Sequence, residues 1–108
     1  MLKPVVWVGS SRSDVREFPR PARRRIGFEL QALQRGQEPT DFKPMPSVGS
    51  GVYEIRIHAQ NAYRVFYVAK FEEAIYVLHA FQKKTQKTAG YEIDLGRRLF
   101  RAVQRWKR

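Results

Sequence analysis

Apolar positions change period along the chain, and each change marks an element. Val5-Val6-Trp7 with Pro4 and Val8 forms a short run of β-branched and aromatic residues closed by Gly9-Ser10, which predicts a strand. Ser11 or Ser13 is placed to cap a helix, with Asp14 and Glu17 in its first turn. Phe18-Pro19 interrupts it, because the residue before proline avoids the α region. A second helix starts near Pro19 or Pro21 and runs to about Arg35. Ile26, Leu30 and Leu33 recur at helical spacing with Phe28 and Ala32 beside them, and Gly36 supplies the stop. Residues 37–50 carry proline and glycine at a density that predicts a loop without regular structure.

The second half has the period of strands. Tyr53, Ile55 and Ile57 alternate with Glu54, Arg56 and His58, the pattern of a half-buried antiparallel strand. Ala59–Ala62 is read as the turn and Tyr63–Ala69 as the return strand, apolar on both faces except for Arg64. After Lys70–Glu73, the nearly unbroken run Ala74–Phe81 predicts a central strand covered on both sides. A last helix runs from about Ala89 or Gly90 to Trp106, with Leu95, Leu99, Ala102, Val103 and Trp106 on its apolar side. Two helices, a three-strand meander and a closing helix predict one α+β domain over residues 1–108. Its antiparallel sheet packs on the N-terminal helices in two layers.

Charge adds the first functional constraint. Lys and Arg total 21 against 10 Asp and Glu, a net charge of +11. A field of that size attracts polyanions, with nucleic acid the commonest and an acidic protein next. No cysteine is present, which excludes disulfides and thiolate metal sites and suits a cytoplasmic protein. The apolar runs have strand length, so no membrane span is expected, and Met1–Pro4 lacks the layout of a secretory signal. No metal or cofactor is expected. Gly49-Ser50-Gly51 lacks the lysine of a phosphate loop, and His58 and His79 lack a third ligand at metal spacing.

The candidate chemistry is a set of cations on an apolar sheet. An arginine inside a central strand is costly unless something pairs with it, so Arg64 needs a reason. Glu54 or Glu73 could be its structural ion-pair partner. Arg56 points away from the apolar face of its strand, and Lys83 and Lys84 lie just past the last strand. Whether Arg56 and Arg64 converge depends on a register that the turn leaves open by one residue. Such a set suits phosphate: arginine grips it in bidentate fashion and lysine supplies a point charge. RNA cleavage by its own 2′-hydroxyl needs charge stabilisation, a base and an acid, but no metal. His58, Glu54, Tyr91 or a perturbed lysine are the possible acid–base groups. Arg20, Arg23, Arg24 and Arg25 crowd the start of the second helix, where positive charge opposes the dipole. With Lys87 they are candidates for binding RNA or the ribosome; the plain alternative is a solvated basic face. His79, inside an apolar strand, reads as a hydrogen-bonded core histidine.

Gly51-Val-Tyr-Glu-Ile-Arg56, Tyr63-Arg-Val-Phe-Tyr67 and Tyr76-Val-Leu-His-Ala-Phe-Gln-Lys-Lys-Thr85 resemble the phage-derived HigB-like branch of the RelE/ParE toxin superfamily. Lys43-Pro44-Met45 and the segment from Phe18-Pro19 to Arg23-Arg24-Arg25-Ile26-Gly27 match it too, so the likeness spans about residues 5 to 100. The resemblance implies a RelE-like fold and a type II toxin–antitoxin toxin acting as a ribosome-dependent mRNA endonuclease. It implies a helix-turn-helix antitoxin as partner, and it places Arg56, Arg64, Lys83 and Lys84 in the catalytic set. Two positions depart from the RelE pattern. Glu54 stands where that branch has a second lysine, and its terminal tyrosine has no match at the same spacing, with Tyr91 nearby. The alternatives are a non-enzymatic ParE-like inhibitor of DNA gyrase and an inactive nucleic-acid-binding remnant.

Overall fold

A computed structural model describes residues 2–107. Met1, read as part of the N-terminal segment, and Arg108, read on the basic face of the last helix, lie outside the described residues. The elements are β1 (Val5–Trp7), α1 (Ser11–Glu17), α2 (Arg20–Gln34), β2 (Phe42–Pro44), β3 (Val52–Ala59), β4 (Asn61–Val68), β5 (Ile75–Lys83) and α3 (Gly90–Trp106). The fold is mixed α+β, as the periodicity predicts. The strand order is β1-β5-β4-β3-β2. β1 runs parallel to β5 and pairs Val5 with Ile75, while the other neighbours are antiparallel.

The helix boundaries follow local chemistry, with one shift. Ser10, not Ser11 or Ser13, is the N-cap of α1, and its Oγ donates to Asp14 Oδ2 at 2.8 Å. Ser11 is buried instead, with Oγ donating to the Val77 carbonyl at 3.1 Å, and Glu17 ends the helix rather than starting it. Phe18 is extended ahead of Pro19, and α2 begins at Arg20 with a proline in its first turn. Gly36, at φ 79°, closes it, in a conformation that side chains disfavour.

The loop expected over residues 37–50 contains a short strand. Phe42–Pro44 pairs with Tyr53–Ile55, and Pro44 is tolerated because β2 is an edge that lacks a neighbour on its outer side. Buried Glu29 anchors this segment to α2, accepting from the Thr40 backbone N–H at 2.6 Å and from Thr40 Oγ1 at 3.0 Å. The β3–β4 turn is tighter than Ala59–Ala62. Ala59 already pairs with Asn61, and Gln60 turns the chain at φ 69°.

Each face of the sheet carries a core. Ile55, Ile57, Val65 and Val77 pack under Ala22, Ile26, Leu30 and Leu33 of α2 and Val15 of α1. On the other face Phe66, Val68, Leu78 and Phe81 pack with Phe100 and Val103 of α3. β5 therefore lies inside the sheet and is covered on both sides, as its continuous apolar run requires. A register irregularity between Phe66 and Tyr67 lets both Leu78 and His79 serve the α3 side.

The inward face of α3 differs from the expected stripe. Glu92, Gly96, Phe100 and Val103 are buried, Leu95, Leu99 and Ala102 are half-buried, and Trp106 is 59% exposed. A Cβ on Gly96 would lie 2.9 Å from the Phe66 ring, so the helix seats closely only where the side chain is absent. The buried contact between Glu92 and His79 turns the same face inward.

Candidate functional site

α3 covers one end of its face of the sheet. The other end, where β3 and β4 meet their turn and β5 ends, stays open. Alternation along a strand sends residues i and i+2 to the same side. In β3 this puts Glu54, Arg56 and His58 with Val52 on the α3 side, while Ile55 and Ile57 face α2. The register then aligns rows across the sheet. Lys43, Glu54, Phe66 and His79 form one row, Arg56, Arg64 and Phe81 the next, and His58, Ala62 and Lys83 the last.

The register question is thereby settled: Arg56 and Arg64 are directly opposite each other. Like charges in that position repel. Glu54 lies between them, its Oε1 3.4 Å from Arg56 Nε and 3.6 Å from Arg64 Nε. Arg64 thus pairs with Glu54 and not with Glu73, which pairs with Lys107. The side chain of Glu54 is 1% exposed and that of Arg64 6%, while that of Arg56 is 33% exposed. Arg64 Nη1 donates to the Tyr63 carbonyl at 3.0 Å. Among the described residues, both Glu54 oxygens and both arginine Nε atoms are buried without a hydrogen-bond partner. These four atoms meet only through charge.

Lys83 is half-buried at the end of β5. Burial lowers its pKa, and Arg64, Arg56 and Lys43 lower it further against the opposing pull of Glu54. Burial also lowers that of Arg64; Glu54 opposes this, and Arg56 adds to it. Four cations, Lys43, Arg56, Arg64 and Lys83, thus share one field around one sealed carboxylate. Lys83 and Lys84 also line a small cleft with Phe81, Thr85 and Glu92, and Tyr91, 73% exposed in the first turn of α3, forms its rim. Lys87 is exposed in the loop before α3, and its carbonyl accepts from Thr85 Oγ1.

The acid–base candidates separate by position. His58 is on the open face, its Nε2 3.6 Å from Asp41 Oδ2. The Arg56 N–H donates to the Asp41 carbonyl at 2.8 Å, which carries Asp41 alongside β3 and brings its side chain to His58. Glu54 is enclosed and faces two guanidinium groups. His79 is the core histidine that its setting predicts: Nε2 lies 2.7 Å from Glu92 Oε1, and the ring stacks on Phe81 at 5.1 Å.

Arg20, Arg23, Arg24 and Arg25 are all exposed, but they lie on α2, behind the opposite face of the sheet. Arg20, Arg23 and Arg24 line a shallow depression there, and Arg25 sits 5.5 Å over the Phe28 ring. Among the described residues none of these arginines forms an ion pair. The structure therefore forms two basic surfaces rather than one. Sequence reasoning misses Lys43, because a residue read as loop has no face; only its pairing opposite Glu54 assigns one.

Residues 13–101 match a family model described as "Phage derived protein Gp49-like (DUF891)". The chain belongs to the Gp49-like family. It is a RelE/ParE-like toxin family. The match runs from α1 into α3 and so includes every element that bears the open cationic face. No curated protein matches this Gp49-like chain. Among its described residues no group of three or more histidines and carboxylates could hold a metal ion. No described helix is long and apolar enough to cross a membrane.

Proposed function

We propose that this Gp49-like protein is the toxin of a type II toxin–antitoxin pair, of the HigB-like branch, and cleaves mRNA on the ribosome. The observation that carries the reading is the grouping of Arg56, Arg64, Lys83 and Lys43 on the open half of one sheet face, in a family of RelE/ParE-like toxins. Three strands supply these cations with the edge strand β2, so the fold fixes their spacing before any substrate arrives. That is the preorganisation electrostatic catalysis needs.

In the proposed reaction the 2′-oxygen forms a bond to phosphorus and the bond from phosphorus to the 5′-oxygen breaks. The 2′-hydroxyl loses a proton to a base and the leaving oxygen gains one, giving a 2′,3′-cyclic phosphate and a 5′-hydroxyl. Arg56 contacts the phosphate from the open face and Arg64 supports it from beneath. His58, steered by Asp41, is the candidate base. Lys83 gives up a proton more readily than an ordinary lysine and is the candidate acid, with Tyr91 as the alternative across the cleft. Lys84 and Lys87 guide the RNA backbone. The protein works in the cytoplasm beside ribosomes and is held inactive by a helix-turn-helix antitoxin.

The test is cleavage of mRNA on programmed ribosomes, with the ends of the fragments identified. Wild type is expected to leave cyclic phosphate ends, and Arg56→Ala and Lys83→Ala each to slow cleavage by about 10²-fold or more. Undiminished cleavage by both variants overturns the assignment. Inhibition of DNA supercoiling by a protein that cuts no RNA places it with the ParE-like inhibitors instead.

A further inference from the structure

Position 54 breaks the logic of its own face. Val52, two residues before it, and Phe66, directly opposite, are both core residues beneath α3. An apolar side chain there would extend that core. Instead the site holds a carboxylate that is 1% exposed and, among the described residues, has no hydrogen bond to either oxygen. Burying a charge on such terms is costly, and a buried Arg–Glu–Arg arrangement is in general no more stabilising than apolar residues of the same volume. Stability of the fold does not account for it.

The two neighbouring guanidinium groups do. Arg56 and Arg64 are opposite each other on paired strands, the placement that like charges resist most. Both turn their Nε atoms toward the same oxygen of Glu54, at 3.4 and 3.6 Å. Arg64 is held at a second point through Nη1 on the Tyr63 carbonyl, and Arg56 is left with a third of its side chain at the surface. We infer that Glu54 is a positioning residue, a sealed counter-ion that holds Arg56 and Arg64 side by side under the open face so that both act on one phosphate. The inference rests on the phosphate-handling role proposed above.

A counter-ion that positions has a different signature from one that merely supports the fold. Glu54→Gln keeps the size of the side chain and removes its charge. Equilibrium attraction for RNA is then expected to hold or tighten, because the face no longer carries its sealed anion. Cleavage is expected to slow by about 10- to 100-fold, because the arginines splay. Lys83, which Glu54 steadies in its charged form, is expected to titrate at a lower pH than in the wild type. Three measurements read these effects: affinity for an RNA with a 2′-deoxy group at the cleavage position, single-turnover cleavage on programmed ribosomes, and NMR titration of the Lys83 ammonium group. Glu54→Asp keeps the charge and is expected to restore the Lys83 titration, while cleavage recovers only in part.

Parallel loss of affinity and cleavage in Glu54→Gln, cleavage at the wild-type level, or an unmoved Lys83 titration overturns the inference. If Glu54→Gln does not fold, the double variant Glu54→Leu/Arg64→Met removes the buried pair as a unit. It is expected to melt no lower than wild type and to cleave nothing; a clearly lower melting temperature marks Glu54 as a fold-stabilising group and rejects the positioning role. Should wild type itself cut no RNA, the enzymatic reading fails, while the affinity and Lys83 arms still decide what Glu54 does.

Discussion

Tyr67 shows how much a single polar atom can reveal about the face it occupies. Its ring is buried on the α2 side of the sheet, 6.0 Å from the Tyr53 ring. Burial raises its phenol above the ordinary value, and Tyr53, Glu38 and Glu29 add to the shift. A folded pKa above the unfolded one means that the group contributes stability below about pH 10, which is lost as pH rises through the folded value. Alkaline titration followed by tyrosinate absorbance is expected to show tyrosine signal withheld until the protein unfolds. Tyr67→Phe should shrink that delayed component to the share of Tyr76, whose phenol burial and Glu73 also raise, and should lessen the alkaline decline in stability; an unchanged titration curve would contradict the burial argument. At this scale the sequence is readable wherever one residue conflicts with its surroundings. Arg64 in an apolar strand demands a partner and has Glu54; His79 in another demands one and has Glu92. Lys43 is not readable, because nothing about it conflicts with a loop until β2 is seen to pair with β3.

At the scale of elements, periodicity locates the helices and the meander but does not orient all of them. β3 alternates cleanly, so its two faces can be assigned from sequence. α3 cannot be oriented that way, because Leu95, Leu99 and Trp106 make as good a stripe as the one used, and the deciding residues are a glycine and a glutamate. Gly96 can be tested against a control on α2. Gly96→Ala gains helix propensity but pushes a Cβ to 2.9 Å from buried Phe66 and 3.1 Å from Val48. Overpacking of this kind costs about 1–3 kcal/mol, so a net loss of stability is expected. Gly27→Ala meets no atom within 4 Å, lies mid-helix on the exposed side of α2, and is expected to stabilise by about 0.5–1 kcal/mol. Denaturant unfolding of the two variants checks both signs, and equal shifts in one direction would show that the Gly96 contact does not matter. β2 escapes the sequence for a related reason: three residues ending in proline carry no period, and their strand character comes only from the partner.

For the molecule as a whole, the charge of +11 is divided by the sheet. One share surrounds Glu54 on the open face, and another lies on α2 behind it. The α2 share is the easier to separate from folding. Its first turn has no acidic residue, so Arg20, Arg23 and Arg24 oppose the helix dipole uncompensated. Arg20→Gln/Arg23→Gln/Arg24→Gln is therefore expected to raise the melting temperature while weakening RNA binding. The slope of log affinity against log salt should fall by up to about one for each phosphate that is no longer neutralised. Unaltered salt dependence would show that this surface touches no phosphate. The parallel pairing of β1 with β5 bears on timing. Val5 waits for Ile75, far along the chain, so the first strand made is among the last to be seated. Lys83 ends that same late strand, and Arg64 needs it as a neighbour. During synthesis the chain therefore cannot assemble its cationic face until Lys83 has left the ribosome, so shorter nascent chains lack the arrangement on which the proposed cleavage depends.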